Sequence, residues 1–123
     1  MSLNIKVEKV KHSRIKDIDF DNLPFGQVFS DHMLTCDYEN GKWSDPKIEP
    51  YAPISLAPSA KIFHYGQSIF EGMKAYKDAD ENILLFRPTD NHKRLNKSAE
   101  RLAIPELPEE NFMEGLKKLL EID

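Results

Sequence analysis

Asn40-Gly41 constrains the architecture of this chain more than any other pair of residues in it. Both residues tolerate the positive φ that a type I′ turn demands, which makes the pair the strongest short-range signal for a β-hairpin. With these two as the loop, Glu39 faces Lys42 and Tyr38 faces Trp43, one charge pair and one aromatic pair. Upstream, residues 28–38 alternate as a strand does, with Leu34, Cys36 and Tyr38 on one side and Met33, Thr35 and Asp37 on the other. Downstream, Asp45-Pro46 and Glu49-Pro50 interrupt, so the returning strand must be short or lie at an edge.

The flanking segments extend this β pattern and then abandon it. Residues 4–11 alternate β-branched residues with charges, as a half-exposed edge strand blunted by lysines would. A polar connector follows to Asn22, then Leu23-Pro24-Phe25-Gly26, a turn around an isolated ring that serves either as a core plug or as a pocket lid. Residues 51–59 read as a connection, and Lys61-Ile62-Phe63-His64 as extended. Gly66 to Glu71 has room for a turn of helix closed by Gly72, before residues 73–76 resume as strand. Residues 78–82 make a polar hairpin loop that returns through Ile83-Leu84-Leu85-Phe86, a short strand expected to be buried on both faces.

Two helices close the chain. The first starts after Pro88 with Thr89 or Asp90 as N-cap, carries the stripe Leu95, Ala99, Leu102 and Ala103, and is stopped by Pro105. The second takes Pro108 in its first turn and Glu109 and Glu110 at the positive end of its dipole. Its stripe is Phe112, Met113, Leu116, Leu119 and Leu120, with Gly115 costing about 1 kcal/mol against alanine. Strands first and helices last make the fold α+β, an antiparallel sheet with two C-terminal helices packed on it. Residues 119–123 end in mid-pattern without a capping glycine, as a longer protein cut near a boundary would. Met1, Ser2 and Leu3 read partly as an appended start.

Composition removes several classes of function. At 123 residues the default is one domain, residues 1–123. A net charge of −4 argues against nucleic acid or a membrane surface as partner. The chain has no apolar run long enough to span a bilayer and no secretory h-region at its start, so it is expected to stay in the cytoplasm. One cysteine, Cys36, allows no internal disulfide, and the scattered His12, His32, His64 and His92 lack metal-ligand spacing, so no metal site is expected.

Two features carry possible chemistry. Residues 64–76 crowd Tyr65, Phe70, Tyr76, two glycines and Glu71 together without a clean period, which fits either one wall of a small-molecule pocket or a core segment crossing a sheet. Between residues 87 and 103 five basic side chains stand against Asp90 and Glu100, a local excess of +3 in an acidic chain. That reversal at a helix start fits an anion site or a solvated basic face. Arg94, next to the stripe residue Leu95, is the side chain to keep. A Ser30, Asp31 and His32 triad is ruled out because strand neighbours point to opposite faces, and Lys74 reads as a solvated strand-edge lysine rather than a reactive amine.

Phe25-Gly26-Gln27-Val28-Phe29-Ser30-Asp31-His32-Met33-Leu34, His64-Tyr65 through Phe70-Glu71-Gly72-Met73-Lys74-Ala75-Tyr76, and Leu85-Phe86-Arg87-Pro88 with Asn91 and residues 93–99 together resemble the N-terminal portion of branched-chain amino acid aminotransferases. These are pyridoxal-phosphate enzymes of fold type IV. The match runs in order from about residue 5 to 122, and its first segment is closer to the branched-chain group than to D-amino acid aminotransferases or aminodeoxychorismate lyases. The resemblance implies the smaller N-terminal domain of that fold. Arg94 then contacts the cofactor phosphate, and Phe25, Tyr65 and Phe70 wall the substrate pocket, while Glu71 and Gly72 are structural.

In this family the lysine that holds pyridoxal phosphate, the acidic partner of the pyridine nitrogen and further phosphate ligands belong to a C-terminal domain absent from these residues. The resemblance therefore implies a parent that exchanges an amino group between leucine, isoleucine or valine and 2-oxoglutarate, using amino acid and 2-oxo acid substrates and assembling as a homo-oligomer. It also implies a fragment with no catalytic residue, no retained cofactor and no activity alone. The rival readings are a stand-alone interaction or ligand-binding module, and a fragment of another fold-type IV enzyme such as a D-amino acid aminotransferase.

Overall fold

Prolines and paired strands divide this chain between them. The computed structural model describes residues 3–123; Met1 and Ser2, part of the start set aside above, lie outside the described residues. The strands in chain order are β1 (Lys6–Val7), β2 (His32–Thr35), β3 (Tyr38–Glu39), β4 (Lys42–Trp43), β5 (Lys47–Pro50), β6 (Ala75–Lys77) and β7 (Ile83–Leu85). The helices are α1 (Lys61–Tyr65), α2 (Pro88–Arg101) and α3 (Glu109–Ile122), with a single 3₁₀ turn at Ile15–Asp17. The α+β class stands, but the expected single antiparallel sheet does not. Three separate ladders form, β1-β5-β2, β3-β4 and β6-β7, and the first is mixed because β1 runs parallel to β5. Each proline removes a ladder donor, so Pro46, Pro50, Pro53 and Pro58 break the β-rich half into short pieces.

Contacts group the chain into two compact units, one holding residues up to Pro53 together with Glu114–Asp123, the other Ile54–Met113. In the first, the hairpin forms as Asn40-Gly41 dictates, with Glu39 opposite Lys42 and Tyr38 opposite Trp43. Asn40 and Gly41 sit at φ 52° and 80°, and the two rings meet edge-on at 5.2 Å. The strand expected over residues 28–38 is confined to β2 and β3. The returning strand β4 is short, as expected, and between the two interrupting prolines a further strand, β5, pairs with β1 on one side and antiparallel with β2 on the other, Leu34 opposite Ile48. Ile48 and Pro46 are fully buried.

Two contacts seal this unit. A Cβ placed on Gly115 would lie 2.6 Å from Leu34 Cδ1, so the glycine lets α3 come against β2 at a distance no side chain allows. Buried His32 accepts the Val10 N–H on Nε2 at 3.0 Å, which leaves the ring proton on Nδ1, donated to Asp123 Oδ1 at 2.5 Å. The same carboxylate accepts the His32 backbone N–H. At the base of the long loop that carries Phe25, Arg14 donates to Asp31 and to the carbonyls of Phe29 and Ser30.

The second unit departs further from the sequence expectations. Residues 61–64, expected to be extended, lie in α1, and residues 66–71, expected to be helical, form no helix. Gly66 at φ 60° closes α1 in the left-handed conformation, a helix end that only glycine adopts without strain. Ile83 and Leu84, expected to be buried, are half exposed, since β6-β7 is a lone two-stranded ladder. Asp78 ties the loop between them, accepting from the N–H groups of Asp80 and Asn82 and from Asn82 Nδ2.

α2 begins at Pro88, whose missing N–H costs nothing in a first turn. Its N-cap is therefore Arg87, left-handed at φ 50° and paired with Asp90 at 2.5 Å, rather than Thr89 or Asp90. The helix stops before Pro105: Ala103 at φ 53° places its own N–H on Glu100 O and that of Ile104 on Ala99 O, a complete Schellman closure with alanine where glycine is usual. Ala99 and His92 are the buried positions of α2, whereas Leu102 is exposed. Asn96 pairs with both backbone groups of Leu107, and His92 donates to the same carbonyl at 2.7 Å.

Candidate functional site

The site lies in the second unit, where the segment between α1 and β6 meets α2. Asn91 and Arg94 are three residues apart on α2 and so project from one face of it. Both reach Glu71. Arg94 donates Nε–H to Glu71 Oε2 at 2.8 Å and a terminal nitrogen to Oε1. Asn91 Nδ2 donates to Oε1 at 2.9 Å and to the Gly72 carbonyl at 3.2 Å, and the Gly72 N–H donates to Oε1 at 3.1 Å.

The Glu71 carboxylate is only 6% exposed, whereas the Arg94 side chain is 68% exposed. Surrounded by donors, Glu71 is held as the anion: the Arg94 hydrogen bonds first, then Asn91 and the Gly72 N–H, bring its pKa from 4.5 to about 2. The same pairing raises that of Arg94. Glu71 takes two of the five guanidinium N–H groups, so three have no partner among the described residues. Arg94 lines an open hollow of about 250 Å³ with Phe86, Arg87, Asp90 and Asn91. A second hollow of about 240 Å³, lined by Met73, Lys74, Tyr76, Phe86 and Asn91, shares two of those walls.

The residues singled out in the sequence are distributed unevenly around this cluster. Phe70 joins it through Gly72: a Cβ at Gly72 would meet two Phe70 ring carbons at 3.4 Å, so the ring folds over the backbone that Glu71 and Asn91 hold. Tyr65 ends α1, lines neither hollow and is 83% exposed, while Phe70 is 88% exposed. Gln67 anchors the intervening segment by donating to Leu102 O at 2.8 Å. Phe25 belongs to the other unit, at the tip of a turn closed by Gln27 N–H to Pro24 O, and is fully exposed; it plugs no core here.

Arg94 stands in the second turn of α2 rather than at its first, and the first turn has few donors to offer, since Pro88 has none and the Asp90 N–H bonds Arg87 O. The partners that sequence reasoning passed over are Glu71 as the guanidinium's counter-charge and Asn91 as its support. Their signal was present in the glycine that follows Glu71 and in the three-residue step from Asn91 to Arg94. Among the described residues no group of three His, Cys, Asp or Glu is placed to hold a metal, and no helix is long and apolar enough to cross a membrane.

No protein-family model matches the chain. Among curated proteins it is 50% identical over 120 residues to branched-chain-amino-acid aminotransferase 2 of Bacillus subtilis, an overlap that takes in 97% of this chain and 33% of that protein. It is 48% identical over 124 residues to branched-chain-amino-acid transaminase 1 of the same organism, covering 100% of this chain and 35% of the relative. The branched-chain-amino-acid aminotransferase of Mycolicibacterium smegmatis is 52% identical over 103 residues, 83% of this chain and 28% of that protein. The chain spans about a third of the length of the curated relatives it matches.

Proposed function

We propose that these residues are the N-terminal third of a branched-chain amino acid aminotransferase, and that the whole protein transfers an amino group between leucine, isoleucine or valine and 2-oxoglutarate. Half-identity along nearly the full chain to proteins of that name supports the family. The observation that carries the site is Arg94, gripped by Glu71 on one edge and open on the other. None of the relatives matched here favours a D-amino acid enzyme or a stand-alone module.

The cofactor of that chemistry is pyridoxal phosphate, and the donor set beside Arg94 fits its phosphate end. Two terminal guanidinium nitrogens form a planar fork matched to phosphate oxygens, and the one carboxylate lining the same hollow, Asp90, is already paired with Arg87. When bound, the cofactor supplies the electron sink that makes the substrate α-proton removable. This chain's own residues bind and exclude: Arg94 holds the phosphate, while Phe70 and Tyr65 present apolar wall. Each substrate CH₂ such walls bury is worth about 0.8 kcal/mol, enough to select a branched aliphatic side chain.

In this reading the two units belong to one small domain of fold type IV. The lysine that holds the cofactor and moves the proton, with the partner of the pyridine nitrogen, lies in polypeptide beyond these residues. The chain alone is then inactive and retains no cofactor, and the whole protein is a cytoplasmic homo-oligomer. The test is an assay of both forms with leucine, 2-oxoglutarate and pyridoxal phosphate. Glutamate is expected from the full-length gene product and none from the 123-residue chain. A full-length product inert toward all three branched-chain amino acids refutes the assignment, and turnover by the chain alone refutes its incompleteness.

A further inference from the structure

An arginine whose side chain is two-thirds exposed normally samples many rotamers, and any anion it binds must pay for stopping it. Arg94 does not have that freedom. We propose that Glu71 is a positioning residue, which holds Arg94 by its Nε edge so that the edge formed by the two terminal nitrogens stands ready for a phosphate monoester. This inference rests on the reading of Arg94 as a phosphate ligand.

The grip works because Glu71 is itself fixed. Its Oε1 accepts from Asn91 Nδ2 and from the Gly72 N–H as well as from Arg94, and Asn91 also holds the Gly72 carbonyl. The carboxylate is buried and cannot swing out with the arginine. Phe70 lies over Gly72, so an aromatic wall and the cationic fork share one anchored strip of backbone. Glu71 exerts two opposed effects on an arriving anion. Its charge repels, an effect that salt screens; its grip pre-orders the guanidinium through direct hydrogen bonds to a buried carboxylate, an effect that salt screens much less.

The opposition supplies the experiment. The Arg94 Nε–H resonance of the isotopically labelled chain is followed by NMR during titration with inorganic phosphate, at about 0.01 M and about 0.15 M salt, where the screening length falls from ~30 to ~8 Å. Glu71→Gln keeps the shape and removes the charge. The expected result is phosphate binding weakened about two- to tenfold at both salts, the ordering cost of one long side chain, with faster solvent exchange of the Nε–H. Unchanged or tighter binding overturns the proposal, because the carboxylate is then a bystander or only a repelling charge.

Arg94→Ala separates this from the underlying reading. If phosphate-induced shifts around residues 86–94 survive that substitution, Arg94 is not the ligand. If they vanish while Glu71→Gln has no effect, Arg94 is the ligand and Glu71 does not position it. Should the backbone spectrum show Glu71→Gln to be unfolded, Asn91→Ala, which loosens the carboxylate without removing it, must weaken binding in the same direction.

Discussion

Replacing Gly115 by alanine sets two well-measured effects against each other. Alanine in a helix interior is favoured over glycine by about 1 kcal/mol, and on propensity alone Gly115→Ala stabilises α3. The new methyl, however, would stand 2.6 Å from Leu34 Cδ1 and 3.4 Å from Cδ2, where carbon pairs prefer about 3.5–4.0 Å. Leu34 is the party that must move. Its backbone is pinned in the β2-β5 register opposite buried Ile48, so relief comes from the side chain and costs about 1–3 kcal/mol, as overpacking does. The net expectation is a destabilisation of about 1 kcal/mol, a fall of roughly 4 °C in Tm. Urea unfolding followed by far-ultraviolet circular dichroism measures it. In a Leu34→Ala background the clash is gone, and Gly115→Ala should there stabilise by about 1 kcal/mol, a coupling of about 2 kcal/mol between the sites. If Gly115→Ala stabilises the unaltered chain, or has the same effect in both backgrounds, close approach is not why glycine stands at 115.

Other outcomes follow from the polar contacts and the turn. The Glu71 carboxylate is held at a pKa of about 2 against 4.5 unfolded, so its contribution to stability is complete above about pH 4.5 and lost as pH falls toward 2; after discounting for solvent around the exposed arginine it amounts to about 1–2 kcal/mol. Urea midpoints of the chain and of Glu71→Gln should therefore differ at pH 6 and converge near pH 2, and a constant gap would contradict the pairing. Asn96→Ala strips the Leu107 N–H of its partner and should cost about 1–3 kcal/mol by thermal unfolding, with an unchanged Tm counting against the bridge. Gly41 sits at φ 80° with open space around it, so Gly41→Ala pays only for left-handed backbone, about 1–2 kcal/mol, and leaves the hairpin register intact by NMR.

What the sequence disclosed followed from chemistry local to a few residues. Asn40-Gly41 is a turn by its own backbone preferences, so the hairpin and its facing pairs were legible without any knowledge of the rest. The stripes of α2 and α3 were legible as periods, but the ends of α2 were not, because Arg87 and Ala103 adopt left-handed conformations that their residue types do not announce. Residues 61–65 carry Ile62 and Phe63, which favour strands, and only Gly66, read one turn too late, signalled the helix. The returning strand β4 is two residues long, as short as the prolines after it imply, but β5 went unread between them, since Pro50 is only its last residue and the interior pairs freely on both sides. At the site, Arg94 was legible as local charge. The grip of Glu71 was not, since it joins residues 23 positions apart that no periodicity relates.

The chain's single tryptophan lies in the β3-β4 hairpin, edge-on to Tyr38. Its indole emission therefore reports on the hairpin around one tight turn, whereas far-ultraviolet dichroism averages over every helix and strand. A fluorescence melt and a dichroism melt of the same sample thus interrogate different regions. Their coincidence would mean that the β3-β4 hairpin opens only when everything else does, whereas an earlier fluorescence change would mark the hairpin as the first piece to fray.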